Sequence, residues 1–243
     1  MERNEIRKFN RVIIETTGLA DPVPIIHTLM TSIDLIRIFS LDGVITIIDC
    51  VNGENTFNDH QEAIKQAAFA DIIFLSKTDL TNDKIVNNLI SRISEINSKA
   101  SIIKIDKNII SIDEFIGLND YDPNNKSWDV KNWLAEESKN KKGSNLNHHH
   151  QNVNRHNDNI HSFSLITKKE VSMTTLNFFL ELVSSQMGDK ILRIKGIINI
   201  KDEKRPAIIH GVQHIFHPLE WLNEWPDNDK KTKLVFITNK IKR

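Results

Sequence analysis

Two carboxylates in this chain stand where a nucleotide-handling protein would need them. Within VIIETTGLADP, Glu15 follows the apolar run Val12–Ile14 and Gly18 comes three residues later. A nucleotide switch needs a carboxylate near Mg²⁺ and a flexible amide near the terminal phosphate, and this spacing supplies both. A plain strand-to-helix turn would explain a bare E-x-x-G, but the full ETTGLADP string is more specific. The second carboxylate ends DIIFLSKTDL at 71–80. Placed after an apolar strand, Asp79 can accept both N–H donors of guanine, and adenine offers no such pair there. The Lys77 stem can lie against base or ribose. Ser76 stands where an amide is usual in such a loop; it can make one hydrogen bond, with shorter reach. The other reading of Ser76–Asp79 is a polar loop, but the carboxyl end of a parallel strand is where open α/β sheets bind ligands. No G-x-x-x-x-G-K-[ST] occurs, and the eight glycines form no phosphate cradle.

Histidine supplies the remaining chemistry. Of ten histidines, His148, His149, His150, His156 and His161 fall in one short stretch. Neutral imidazole ligates Zn²⁺, Ni²⁺ and Co²⁺, and a polar His-rich segment can bind such ions weakly. A solvated insert without metal is the alternative. His214 and His217 lie in GVQHIFHP at a predicted strand end, where strand alternation puts them on opposite faces. They are expected to serve structure or contact between domains. Cys50 has no C-x-x-C or C-x-C-C partner and is expected in the core.

The elements that must position these groups follow from pattern. Strands are predicted at Val12–Ile14, Val44–Ile48, Ile72–Leu75 and Ile102–Ile105. Their continuously apolar runs suit a parallel sheet covered on both faces. Asp21-Pro22 opens one helix, and Glu54–Phe69 and Asp83–Asn97 form two more, the last with Ile85, Leu89, Ile93 and Ile96 at helical spacing. Residues 119–160 are polar, with one amphipathic piece at Trp128–Leu134, and read as a linker. From there the order is strand (His161–Ile166), helix (Met173–Met187, capped by Ser172), strand (Ile191–Ile200), strand (Ala207–Phe216), helix (Leu219–Trp225) and strand (Leu234–Thr238). That β-α-β-β-α-β order is ferredoxin-like.

Composition excludes several classes. Lys+Arg and Asp+Glu are 32 each, so no global basic field attracts nucleic acid. A single cysteine suits a reducing compartment. The polar start MERNEIRKFNR is no signal peptide, and no apolar run approaches the roughly 20 residues of a membrane span. A cytoplasmic protein is expected.

The strings ETTGLADP, ADIIFLSKTDL and RIKGIINI…GVQHIFHP…W…TKLVFIT resemble the CobW-type P-loop GTPases, relatives of the nickel chaperones of hydrogenase and urease maturation. The resemblance spans nearly the whole chain apart from the linker. It implies an incomplete parallel-sheet P-loop G domain at 1–118, a His-containing linker at 119–160 and a ferredoxin-like α+β C-terminal domain at 161–243. It implies Glu15 as the acidic switch residue, Gly18 as its γ-phosphate sensor, and Ser76, Lys77 and Asp79 as guanine readers. GTP, Mg²⁺ and Zn²⁺ or Co²⁺ are the implied cofactors, and a metal-dependent client protein the implied partner. The function implied is GTP-dependent metal delivery, with hydrolysis driving transfer in the complete protein. The alternative is a non-enzymatic metal- or client-binding module with a remnant G domain. The family's Walker A loop and C-x-C-C motif are absent from this sequence; both would lie before Met1. The expectation is a chain lacking its first βα segment, which by itself hydrolyses GTP negligibly, with a genuinely reduced protein as the other account.

Overall fold

The computed structural model describes residues 8–105, 160–188, 190–226 and 229–241. The first half contains α1 (Val23–Thr31), α2 (Ile33–Ile36), β1 (Ile45–Asp49), α3 (Gly53–Asp59), α4 (Gln61–Phe69), β2 (Ile72–Ser76), a 3-10 turn (Thr78–Leu80), α5 (Asp83–Ile96) and β3 (Ser101–Lys104). The strands pair in parallel in the order β1-β2-β3. Ile47 sits opposite Phe74, and Phe74 opposite Ile103. Parallel neighbours need long crossovers, and α3–α4 and α5 supply them.

β2 is apolar over residues 72–75 because both its faces are covered there; Ile73 and Leu75 have no exposed surface. β1 departs from the expectation. Thr46 and Ile48 are buried, whereas Ile45 and Ile47 are exposed. α5 starts where Asn82 Oδ1 accepts the Ile85 amide. Its core face is Val86, Leu89, Ile93 and Ile96, so Val86 takes the place assigned to Ile85, which is exposed. Asn97 closes the layer beneath. Its buried amide donates to the carbonyls of Ala67, Ala68 and Ala70 at the end of α4.

Two expectations in this half are corrected. Val12–Ile14 is not a strand but an irregular, exposed segment. Among the described residues β1 pairs only with β2, and an apolar run acquires strand structure only from a ladder partner. The single helix expected over Glu54–Phe69 is broken at His60, whose extended backbone (φ −129°, ψ 111°) ends α3 and starts α4.

The second half contains β4 (Ile160–Thr167), α6 (Met173–Met187), β5 (Ile191–Ile198), β6 (Ala207–Val212), β7 (Ile215–Phe216), β8 (Glu220–Trp221) and β9 (Thr232–Asn239). The sheet order is β4-β9-β5-β6-β7, with β8 also pairing β6, and every pairing is antiparallel. Ser172 caps α6 through the Thr175 amide, as its position predicts. The run expected as one strand, Ala207–Phe216, is a hairpin that turns at Gln213, a residue in the left-handed region (φ 54°). The helix expected over Leu219–Trp225 is absent. Glu220 and Trp221 form β8 and pair with Ile208 and Ala207. The α+β character stands, with one helix and an antiparallel sheet. The linker at 119–160, including Trp128–Leu134, lies outside the described residues except for Ile160, the first residue of β4.

The two halves share a core: Leu192, Val212 and Ile237 pack into the cluster that holds Ile73, Leu75 and Leu89. One buried carboxylate ties them further. Asp71, at the start of β2, accepts from Arg193 Nη2 (2.6 Å) and Lys195 Nζ (3.1 Å) of β5 and from the Val44 amide (2.9 Å). Arg193 also donates to the Phe69 carbonyl.

Candidate nucleotide site

A polar cluster sits at the carboxyl ends of β1 and β2. β2 ends at Ser76, and the chain turns through Lys77, whose backbone is left-handed (φ 57°, ψ 34°), into the 3-10 turn that contains Asp79. Leu80 closes this turn by donating to the Lys77 carbonyl at 3.2 Å. Beside it, β1 ends at Asp49. The Asp49 carboxylate accepts from Lys77 Nζ (2.6 Å), the Val51 amide (2.7 Å) and Asn52 Nδ2 (3.1 Å). Burial works to raise the Asp49 carboxyl, but the Lys77 ammonium and the other two donors outweigh it and hold its pKa below the usual value. Ser76 Oγ donates to the Ile48 carbonyl at 3.3 Å, and the Cys50 amide to the Ser76 carbonyl at 2.9 Å. The strand ends are thus stitched side by side, and Ser76, Lys77 and Asp79 come together in one short loop. Asp49 is the residue that sequence reasoning missed; its only signal was a lone acid at an apolar strand's end.

The Glu15–Gly18 loop is a separate, exposed stretch, held at its far end. Gln66 Nε2 of α4 donates to the carbonyls of Gly18 (3.1 Å) and Ala20 (2.8 Å). Lys65 pairs with Asp21 at 2.7 Å, and Asp21 Oδ1 caps α1 through the Val23 amide at 3.0 Å. Arg11 pairs with Asp42 before the loop. A Cβ built on Gly18 would meet nothing within 4 Å, and its backbone is not left-handed. The fold itself therefore does not require glycine at this position.

Residues 1–104 match the family described as CobW/HypB/UreG, nucleotide-binding domain, and residues 160–243 match the cobalamin synthesis protein cobW C-terminal domain. The chain belongs to the CobW family. Among relatives of this CobW-family chain is the zinc chaperone YjiA of Escherichia coli (strain K12), 28% identical over 95% of this chain and 66% of that protein. Another is the zinc-regulated GTPase metalloprotein activator 1 of Schizosaccharomyces pombe, 29% identical over 97% of this chain and 62% of that one. The crystal structure of Zn(II)-bound YjiA GTPase superposes with a TM-score of 0.67, at 25% identity, covering 92% of this chain and 64% of that one. The chain therefore spans just under two thirds of the length of these relatives.

Of the histidines singled out in the CobW-family chain, His148, His149, His150 and His156 lie outside the described residues. His161 is the second residue of β4, opposite Thr238, whose hydroxyl donates to the His161 carbonyl at 3.2 Å. His214 sits in the β6–β7 turn with its ring edge-on to His27 of α1, 5.7 Å between centroids. The alternation argument for His214 and His217 fails because no single strand runs through them, but His214 does meet the other half. His217 lines a cavity between the halves together with His210, Asp71, Arg193, Ile26 and Met30. Among the described residues no group of three or more His, Cys, Asp or Glu is placed to hold a metal ion. No helix there is long and apolar enough to cross a membrane. Cys50 is buried in the first-half core, and burial pushes its thiol pKa up, as suits an inert packing residue.

Proposed function

We propose that the protein is a GTP-binding metallochaperone that passes zinc to a metal-dependent client protein. The observation that carries this reading is the loop Ser76–Asp79, set at the carboxyl ends of adjacent parallel strands by Asp49. In this reading Asp79 accepts the two guanine N–H donors, Lys77 lays its stem along the base, and Ser76 braces the loop. Glu15 orients Mg²⁺ through its shell, and the Gly18 amide meets the γ-phosphate. The open space and ordinary backbone at Gly18 support this, since packing supplies no other reason for glycine there. Metal is carried by the histidines of 148–161, Zn²⁺ first on the strength of the named relatives and Co²⁺ as a second ion. Where the family's phosphate loop is also present, GTP–Mg²⁺ orders the acidic loop and changes how the metal is held, and hydrolysis releases it.

If nucleotide and metal are coupled, linkage requires that each alter the other's affinity by the same factor. The test is zinc titration of the gene product with and without GTP–Mg²⁺, against a chromophoric chelator. A shift of about fivefold or more supports coupling. Identical zinc curves would contradict it and favour a binding module in which the first half plays no part.

A further inference from the structure

We propose that Asp49 is a positioning residue for guanine recognition: it fixes the Lys77 side chain before any base arrives. This rests on the base-loop reading above. Three donors converge on its carboxylate, Val51 and Asn52 from the turn just after β1 and Lys77 from the end of β2, and the shortest contact is to Lys77 Nζ at 2.6 Å. Stability does not explain that pair. The Lys77 side chain is 53% exposed, and ion pairs in water contribute little to stability. The backbone at Lys77 meanwhile sits in the left-handed region, which a lysine adopts only at a cost and which gathers at functional sites. The residue is thus held at both ends, by its backbone turn and by its ammonium. The four-carbon stem between them is confined in the absence of ligand.

A confined stem is what a base-covering lysine needs. A free lysine gives up considerable rotamer freedom when a ligand orders it, and preorganisation removes that loss from binding. The same anchor steadies the short turn that follows, in which Leu80 bonds back to Lys77 and which carries Asp79. Asp49 touches neither role directly. It acts through Lys77, and through the loop it sets the register of the carboxylate that tells guanine from a base lacking the exocyclic amine.

The test is equilibrium titration of the gene product with the N-methylanthraniloyl derivatives of GDP and IDP. The wild type should prefer the guanine compound. Asp49→Asn keeps the side-chain shape and removes the charge; it should weaken GDP about fivefold and narrow the GDP-to-IDP preference, with little change in melting temperature. Asp49→Glu should recover part of the preference. Lys77→Met should weaken GDP similarly, and the double variant should be no worse than either single one. An Asp49→Asn protein that keeps the wild-type preference overturns this inference and leaves the base-loop reading intact. A wild type with no guanine preference overturns both.

Discussion

Asp71 shows how much one residue can carry. It is buried, and burial alone would raise its pKa. Arg193 and Lys195, with the Val44 amide, outweigh that and hold the carboxyl well below the usual carboxylate range. Asp71→Ala leaves two cations without their buried carboxylate between the halves, so it should cost about 3–5 kcal/mol in denaturant unfolding. A loss under about 1 kcal/mol would show the network to be solvated. The sign with pH follows from the lowered pKa: the Asp71 contribution is complete above its unfolded value near 4 and declines below it. His210 pulls in the opposite sense on charge and in the same sense on pH. Burial, with Lys195 and Arg193 beside it, lowers its pKa to about 3. The folded protein therefore refuses a proton that the unfolded chain accepts below about 6.5, and stability should fall as pH drops from there, by up to ~1.4 kcal/mol per unit. His210→Gln should flatten that slope between about pH 6.5 and 4 in chemical denaturation. An unchanged slope would place the imidazole in water.

At the scale of elements, β5 and β9 form the spine of the second sheet. Gly196 makes their close approach feasible, because a Cβ there would run into the Lys233 carbonyl and come within 2.5 Å of Leu234 Cδ2. Backbone cannot yield as a flexible side-chain tip can, so Gly196→Ala should destabilise the protein by about 1–3 kcal/mol. A neutral result in thermal unfolding would mean that the two strands can part. Much of this architecture was legible in the sequence, and its boundaries show why. The runs at 44–48, 72–75 and 102–105 fall within a residue of β1, β2 and β3, since a strand buried on at least one face must be apolar. Met173–Met187 is reproduced end to end, its start marked by the Ser172 cap. What failed was set by partners distant in sequence. Trp221 is a strand residue because Ala207 lies opposite, and Val12–Ile14 is not one because no described strand pairs with it. No local periodicity contains that information. The break at His60 and the turn at Gln213 lack the Gly or Pro that usually announces one. At the candidate site, residues 76–79 were legible from their order, whereas the Asp49–Lys77 pair bridges 28 positions and needed the parallel register of β1 and β2.

On the scale of the molecule, one strand links the contact between the halves to the base loop. β2 starts directly after Asp71, which is bound to the second half, and ends at Ser76, in the base loop. The histidine segment joins the same two halves in the chain. Imidazole must be neutral to ligate, so protons compete as pH falls through roughly 6.5. Zinc titrated into the protein should bind at about pH 7.5 and be largely lost by about pH 5.5. Replacing His148, His149, His150, His156 and His161 with Ala should remove most of that binding. Binding that survives the replacement unchanged would move the metal elsewhere. The most direct measurement of the central claim, however, concerns the base. Asp79→Asn exchanges an acceptor for a group that can donate, so the gene product should lose affinity for GTP and gain it for xanthosine triphosphate, whose ring accepts where guanine donates. In competition titrations the ratio of the two affinities should reverse, by about tenfold or more. A ratio that Asp79→Asn leaves unchanged would show that residues 76–79 do not read guanine.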